Sequence, residues 1–384
     1  MLQLQGGVAL QASLDGFFMA LREQVEITRE VTKSAFCQAR QKFNASAFVA
    51  LNKLWLQGWQ EAMPAPRWRG LRVVAADATC VRVPKRAENV AAYGKGPSGD
   101  GSAVMARCVA LFCTAGRQFL DVTVGRYDEG ERALLLRCLG VLKEDDILVL
   151  DRGYPAWWLF AALAQKKLHF CARIENCSWP TAQQLMRSLQ DELIVHHTLK
   201  SQSRKALREL GLPAVHSVCI RLVKVPLPNG KFEVLATSLL DEQRYPATGF
   251  GALYHKRWAI EEAFKTIKHH LDLEGFSGEL AHCIEQDIQA KILMYNITLG
   301  LCAQAQSLVP QNQAEDWQVN HAYAVKHLGR VIVSWFKGCG DELVRVTQSL
   351  VETLAQTLEK IRPDRSFERC HSTGGAQRPR KAYR

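Results

Sequence analysis

The sequence predicts an α/β fold in which one mixed sheet carries acidic residues at the ends of two strands. Three runs rich in apolar and β-branched residues follow one another between positions 71 and 124, in an order that suits antiparallel strands. Helix, strand, helix and strand patterns then alternate from position 130 to 174. Asp77 closes the first strand and Asp151 closes the fourth. If these two strands are neighbours, their carboxylates lie side by side.

Size and charge indicate a globular protein with a basic surface. The 384 residues suffice for two or three domains, and 47% of them are hydrophobic. The net charge of +11 favours a polyanionic partner, although many basic proteins bind no nucleic acid. We expect neither a signal peptide nor a membrane span. The twelve cysteines lack the paired spacing of a zinc site, which indicates reduced thiols in a cytoplasmic protein.

Residues 1–66 are predicted to be helical and to bind DNA ends. Helical periodicity runs from Leu14 to Val25 and through the segments 35–43 and 47–59. A helix, a short turn and a second helix suit a DNA reader, but a small bundle with solvated basic residues explains the pattern equally well. The side chains that favour the first interpretation are Lys33, Arg40, Gln41 and Lys42.

The next two regions are a sheet and an insertion. Residues 71–173 hold the predicted sheet, and their glycine-rich segment 91–102 lacks P-loop spacing, so we interpret it as a loop. Residues 174–250 are predicted to be a β-rich insertion with a hairpin around Pro228-Asn229-Gly230. A basic stretch precedes the hairpin and either follows a DNA backbone or forms a solvated surface. Its members are His196, His197, Lys200, Arg204, Lys205 and Arg208.

The C-terminal part is predicted to be helical up to a basic tail. Residues 251–305 complete the core and residues 306–362 form a C-terminal helical region, with long helical patterns at 279–305 and 314–361. The tail 363–384 holds six basic residues against two acidic ones, which predicts a disordered segment.

The segment from Tyr254 to Lys268 places four reactive side chains on one side of a predicted helix. With ~100° per residue, Tyr254, Arg257, Glu261 and Lys268 fall within an arc of about 60°. Arg257 and Glu261 also have the spacing of an i,i+4 ion pair, so a salt-bridged surface helix is an alternative. Beside the arc runs a predicted buried stripe, formed by Leu253, Ile260, Phe264, Ile267 and Leu271.

Two strand-end aspartates and a glutamate on a helix suit a two-metal site for phosphoryl transfer. Mg²⁺ prefers carboxylate oxygens, and two ions can stabilise the attacking and the leaving oxygen. We therefore predict that Asp77, Asp151 and Glu261 are catalytic metal ligands and that Arg257 and Lys268 contact phosphates. The neighbouring Glu262 projects ~100° away from Glu261, which argues against it as the third ligand.

The sequence resembles the DDE transposases of the insertion-sequence-four family. Three segments carry most of the resemblance: AADAT at Asp77, LVLDRGY at Asp151, and the signature Tyr-x2-Arg-x3-Glu-x6-Lys that begins at Tyr254. The segment SAFCQARQKF near the N-terminus adds to it, so the resemblance covers about residues 30 to 300.

The resemblance implies a ribonuclease-H-like catalytic core with an inserted β-rich segment. It implies that Asp77, Asp151 and Glu261 hold two Mg²⁺ ions, with Mn²⁺ as a substitute. It also implies that the signature residues Tyr254, Arg257 and Lys268 contact phosphates near a cleaved transposon end. In some relatives an aromatic residue of the insertion stacks on a flipped base, for which Trp179 is a candidate here.

We therefore expect a bacterial or archaeal transposase that acts on double-stranded DNA, both terminal inverted repeats and target DNA, as a homodimer in the DNA complex. Two alternatives use the same residues. A metal-dependent nuclease would cleave DNA without strand transfer, and a catalytically silent relative would only bind DNA. Strand-transfer products would distinguish the transposase from a nuclease. DNA cleavage would distinguish it from the catalytically silent relative.

Overall fold

One eight-stranded sheet forms the centre of the protein. The structure is a computed structural model that describes residues 9–23, 26, 29–96, 103–175, 179–338 and 340–361. The strand order is β3-β2-β1-β4-β5-β8-β7-β6, with β1 parallel to β4, β4 parallel to β5 and the other pairs antiparallel. The predicted mixed sheet, with the first and fourth strands as neighbours, is confirmed. The strands are β1 (Arg72–Val83), β2 (Val104–Cys113), β3 (Gln118–Arg126), β4 (Asp146–Leu150), β5 (His169–Ile174), β6 (Glu192–Thr198), β7 (Ser217–Pro226) and β8 (Phe232–Thr237).

The first strand is longer than the sequence suggested. We expected it to end at Asp77. Instead β1 continues to Val83, because β2 remains its antiparallel partner as far as the pair Val83 and Val104. The parallel pairing with β4 stops earlier, at Ala76 and Leu150. Asp77 therefore lies inside β1, at the level where β4, the other neighbour of β1, ends.

Helices cover both faces of the sheet. One face packs against α5 (Glu131–Cys138), α6 (Trp157–Gln165), α7 (Pro180–Arg187) and α8 (Ser201–Glu209). The opposite face packs mainly against α9 (Phe250–His255), α10 (Trp258–His270) and α11 (Ala281–Gln306), while α4 (Ala87–Tyr93) lies near β2. The predicted buried stripe is confirmed, since all five of its members are buried: Leu253, Ile260, Phe264, Ile267 and Leu271.

The segment 174–250 extends the main sheet. Its predicted hairpin is present as β7 and β8, and β8 pairs with β5, so the segment's strands continue the sheet beyond β5. The segment also contributes α7 and α8. The strands of the insertion and the strands of the core therefore form one continuous sheet.

Three N-terminal helices pack beside this core: α1 (Leu10–Leu21), α2 (Lys33–Gln41) and α3 (Ser46–Ala62). The Thr32 hydroxyl accepts a hydrogen bond from the Ala35 amide at 3.2 Å and caps α2. The α3 helix contacts α11, so this region rests on the core.

The C-terminal region contains shorter elements than predicted. The stretch 314–361 is not one helix, because α13 (His321–Lys337) and α14 (Asp341–Ala355) are separated near Gly340, whose φ of +62° favours glycine. The remaining elements are α12 (Gln311–Ala314), β9 (Trp317–Val319) and β10 (Leu358–Lys360), and the last two pair with each other.

Some predictions fall on undescribed residues. The basic tail 363–384 and positions 97–102 of the glycine-rich segment lie outside the described residues, while positions 91–93 belong to α4. Among the helices of the described ranges, none has the length and apolar character needed to cross a membrane.

Candidate active site

Asp77 and Asp151 lie level with each other on the same face of the sheet. Asp77 follows Ala76, the last residue of β1 that pairs with β4, and Asp151 follows its partner Leu150. Side chains alternate between the faces of a sheet, and the inward residues two positions earlier, Ala75 and Val149, belong to the same core cluster. Both carboxylates therefore face the side on which α10 packs.

The α10 helix brings Glu261 towards Asp77. The Lys268 ammonium donates a hydrogen bond to the Cys80 carbonyl at 3.3 Å, which fixes the far end of α10 beside β1. Seven residues of helix and three residues of strand both span about 10 Å, so the Glu261 end of α10 reaches the level of Asp77. The charge of Glu261 accordingly contributes to the pKa of Asp77.

The four signature residues do not share one continuous helix. The α9 helix ends at His255 and α10 begins at Trp258. Across the junction the hydrogen bonds change to a three-residue spacing, from the Arg257 amide to the Tyr254 carbonyl at 3.0 Å. The backbone of Arg257 keeps α-helical dihedral angles. The single helical arc was therefore wrong in detail, although the residues remain neighbours.

Arg257 is a buried cation at the centre of this group. It is 7% exposed, and its guanidinium bonds the Glu261 carboxylate at 2.8 Å. It also lies over the rings of Tyr254 and Trp258, at 5.8 and 5.1 Å from their centroids. The alternative i,i+4 ion pair is thus present, but in a buried setting and not on an open surface.

The other two signature residues are also partly shielded from solvent. Tyr254 is buried, and burial raises the pKa of its phenol. Lys268 is half-buried beside Cys80. The competing acid Glu262 is exposed and pairs with Lys265 at 2.6 Å, on the side of α10 that faces solvent.

Asp77 has a perturbed pKa. Its pKa is raised from 3.8 to about 6, and burial is the largest cause. The charges of Asp151 and Glu261 contribute to the rise. A hydrogen bond from the Ala78 amide at 2.8 Å and the charge of Arg257 act in the opposite direction. Burial therefore dominates the shift, and it disfavours the charged form of Asp77.

We predict that Asp77→Asn stabilises the metal-free protein at neutral pH. Because the folded-state pKa of Asp77 lies above its unfolded value, this carboxyl lowers the free energy of unfolding progressively as pH rises from about 4 to above 6. The neutral amide should raise that free energy by on the order of 1–3 kcal/mol at pH 7.5. The gain should vanish below pH 4, where both states are protonated. Urea unfolding in EDTA at both pH values measures it, and equal stability at pH 7.5 would contradict the prediction.

The three acids have the donor chemistry of a hard-cation site. Asp77, Asp151 and Glu261 offer only carboxylate oxygens, the ligands that Mg²⁺ prefers. The Gly153 amide orients the Asp151 carboxylate at 2.9 Å, and Arg257 holds that of Glu261. In the described part of the chain, no three Asp, Glu, His or Cys side chains converge as a finished metal cluster. The acids thus suit Mg²⁺ because all three supply carboxylate oxygens on the same side of the sheet. In this structure the Glu261 carboxylate is turned towards Arg257.

Arg173 is a candidate site residue that sequence reasoning missed. In β5 it comes directly after Ala172, the partner of Leu150, so it lies level with Asp151 on the neighbouring strand. Cys171, two positions earlier, belongs to the same core cluster as Val149, which places Arg173 on the face of the acids. Its side chain is 43% exposed and pairs with Glu233 at 3.2 Å. The available signal was a basic residue at an inward position of the strand LHFCARI.

Two other residues that the sequence offered as DNA contacts, Trp179 and Arg40, pack against the rest of the protein. Trp179 packs against Trp157 and Phe160, with ring centroids 4.5 and 6.0 Å away, and is part of the packing on the face opposite α10. Arg40, one of the predicted DNA-reading residues, is buried against α11 and points away from solvent. The other three members of that set are exposed: Lys33, Gln41 and Lys42.

Comparisons with known proteins agree with this geometry. Residues 68–297, more than half of the chain, match the family described as transposase DDE domain. The chain is similar to transposase InsG for insertion sequence element IS4 of Escherichia coli (strain K12), with 27% identity over 277 residues that cover 70% of this chain and 60% of that protein. It is 24% identical over 158 residues to the putative transposase y4zB of Sinorhizobium fredii (strain NBRC 101917 / NGR234), covering 38% of this chain and 40% of that protein. The aligned parts thus span less than two thirds of each relative.

Among solved structures, a piggyBac transposase synaptic complex with hairpin DNA gives a TM-score of 0.41 at 8% identity, over 74% of this chain and 57% of that chain. The family match includes the strands that carry Asp77 and Asp151, the insertion, and the helix that carries Glu261. The chain belongs to the DDE transposase family.

Proposed function

We propose that this protein is a DNA transposase that cleaves DNA at the terminal inverted repeats of an insertion sequence and transfers the freed ends to target DNA. The observation that carries the proposal is the level placement of Asp77 and Asp151 on the face covered by the Glu261 helix. Membership of the DDE family supplies the chemistry that such a set of acids performs, phosphoryl transfer on DNA.

The three carboxylates are proposed to hold two Mg²⁺ ions, which when bound supply charge stabilisation to the attacking and leaving oxygens of the phosphodiester. Asp77 and Asp151 are ligands held by the sheet. Glu261 would complete the set by turning from Arg257, which costs an ion pair. Arg257, once released, is beside the site and available to a phosphate oxygen.

Four cationic or hydroxyl side chains are proposed to position the DNA end. Tyr254 and Arg257 lie at the junction of α9 and α10, and Lys268 lies further along α10. Arg173 adds an exposed guanidinium in line with Asp151. Together they surround the acids with groups that bind phosphate, which orients the scissile bond and neutralises charge in the transition state.

We predict that Lys268→Ala and Arg173→Ala each weaken binding to matched end DNA by about 5–10-fold at moderate salt. Each loss should also lower the slope of log affinity against log salt by about one, because one phosphate contact disappears. Lys265→Ala is the matched control, since Lys265 is exposed on the same helix and pairs with Glu262. Mobility-shift assays over a salt series measure both effects. Unchanged affinity and slope would remove the residue from the DNA interface.

The remaining regions are proposed to recognise DNA and assemble the complex. The helices of residues 1–66 present Lys33, Gln41 and Lys42 to the terminal repeats. The core of residues 71–173 and 251–305 performs the chemistry, with 174–250 as an insertion and 306–362 as a supporting helical region. Because two transposon ends must be joined, we propose a homodimer on DNA, which acts in the cytoplasm at the nucleoid.

The test is an assay on a plasmid whose marker is flanked by the inverted repeats found beside the gene. With Mg²⁺, the transposase predicts nicking at the repeat ends, free 3′-hydroxyls and insertion into a second plasmid. Cleavage without insertion products would support a nuclease instead. Specific binding to the repeats without cleavage, in both Mg²⁺ and Mn²⁺, would support a catalytically silent DNA-binding protein.

A further inference from the structure

The loop that follows Asp151 is held by a single arginine from another element. After β4 ends, residues 151–156 turn towards α6. Arg132, in the first turn of α5, donates hydrogen bonds from Nε to the Tyr154 carbonyl at 2.8 Å and from Nη2 to the carbonyls of Gly153 at 2.7 Å and Pro155 at 3.2 Å. One guanidinium thus binds three consecutive backbone carbonyls.

The same loop carries the bonds that orient Asp151. The Gly153 amide donates to the Asp151 carboxylate at 2.9 Å, and the Tyr154 amide donates to the Asp151 carbonyl at 3.3 Å. The Tyr154 side chain is fully buried below the loop. Gly153 therefore bonds the Asp151 carboxylate through its amide and Arg132 through its carbonyl. The peptide between Gly153 and Tyr154 likewise links Arg132 to the Asp151 backbone carbonyl. A shift of the Gly153 carbonyl therefore moves the residue whose amide holds the carboxylate.

Arg132 forms no salt bridge with any residue that the structure describes. Within the described ranges, no carboxylate lies within 4.0 Å of its guanidinium. Arg137, further along α5, instead pairs with Glu129 on the surface. Arg132 is half-buried, and the loop carbonyls are the partners of its Nε and Nη2 groups. The described contacts of Arg132 therefore hold the loop and do not form a surface ion pair.

We propose that Arg132 is a positioning residue of the active site, which sets the direction of the Asp151 carboxylate by holding the carbonyls of residues 153–155. The proposal rests on the proposed role of Asp151 as a metal ligand. Residues that orient a metal ligand typically change metal affinity by about 10–100-fold when removed. Arg132 has that relation to the Asp151 carboxylate through Gly153.

The test compares Arg132→Ala, Arg132→Gln and Arg132→Lys with Arg137→Ala in the full-length protein. Hydrogen–deuterium exchange of residues 151–156 is measured without metal or DNA. Mn²⁺ binding is measured by titration calorimetry without DNA, and the Mg²⁺ concentration for half-maximal cleavage is measured with end DNA. Thermal unfolding of each variant shows whether the fold is retained.

We expect Arg132→Ala and Arg132→Gln to accelerate exchange of the Gly153 and Tyr154 amides at least about tenfold and to weaken Mn²⁺ binding by about 10–100-fold. End binding in Ca²⁺ should stay within about twofold of wild type. Arg132→Lys should recover part of both effects, because an ammonium reaches fewer carbonyls. Arg137→Ala should behave like wild type in all assays.

Wild-type exchange in a folded Arg132→Ala protein would overturn the proposal, and so would faster exchange with unchanged metal affinity. If Arg132→Ala does not fold, the Gln and Lys variants decide in the same way. A wild-type protein that binds no Mn²⁺ and cleaves no DNA would instead contradict the proposed function. The exchange data would then still show whether Arg132 orders the loop.

Discussion

Asp77→Asn, Asp151→Asn and Glu261→Gln are each expected to abolish DNA cleavage while leaving the protein folded and able to bind end DNA. Each change keeps the size of the side chain and removes one negative charge from the ligand set. The remaining two carboxylates cannot hold two divalent ions in a fixed arrangement. We expect the cleavage rate to fall by at least about 10³-fold, equivalent to ~4 kcal/mol of transition-state stabilisation.

Glu262→Gln is the matched control for this experiment. It makes the same chemical change one position further along α10, on an exposed residue whose partner is Lys265. Its cleavage rate should remain within about twofold of wild type. Single-turnover cleavage of labelled end DNA in Mg²⁺ measures all four variants, and a mobility shift in Ca²⁺ confirms binding. A rate within tenfold of wild type for any of the three acids would remove that residue from the metal site.

The position of Asp151 was predictable because its signal is local. A short apolar strand that ends at an acid needs only the residues beside it, and β4 does end directly before Asp151. Asp77 was harder to place, since the length of β1 depends on β2, a partner beyond the glycine-rich segment. The acid was identified correctly as a neighbour of Asp151, but the strand continues past it.

The contacts of the Glu261 helix were harder to predict from the sequence. The angular positions of Tyr254, Arg257 and Glu261 predict their proximity, and the structure brings them together. They do not reveal that the Arg257 guanidinium is buried and bonds Glu261, because that depends on how α10 packs on the sheet. To place Arg173 beside Asp151, one must also know the register between β4 and β5.

Arg40→Ala is expected to destabilise the protein by about 3–5 kcal/mol, because it leaves a buried carboxylate without its cation. Arg40 lies on α2 but is only 7% exposed. Its guanidinium bonds the Asp287 carboxylate at 2.6 Å, the Gln286 side chain at 2.6 Å and the Cys283 carbonyl at 2.9 Å, all on α11. It also bonds the Ser277 hydroxyl. A residue that resembled a DNA contact therefore joins the N-terminal helices to the core.

Lys42→Ala separates this structural role from DNA recognition. Lys42 directly follows α2 and is exposed, so its removal should change the free energy of unfolding by less than about 0.5 kcal/mol. It should weaken end binding if α2 faces the terminal repeats. Urea unfolding followed by circular dichroism measures stability, and limited proteolysis between α2 and α3 reports undocking of the helices. If Arg40→Ala unfolds within 1 kcal/mol of wild type and resists protease equally, the buried contacts to α11 do not hold the two regions together, and α2 must be fixed by its apolar face alone.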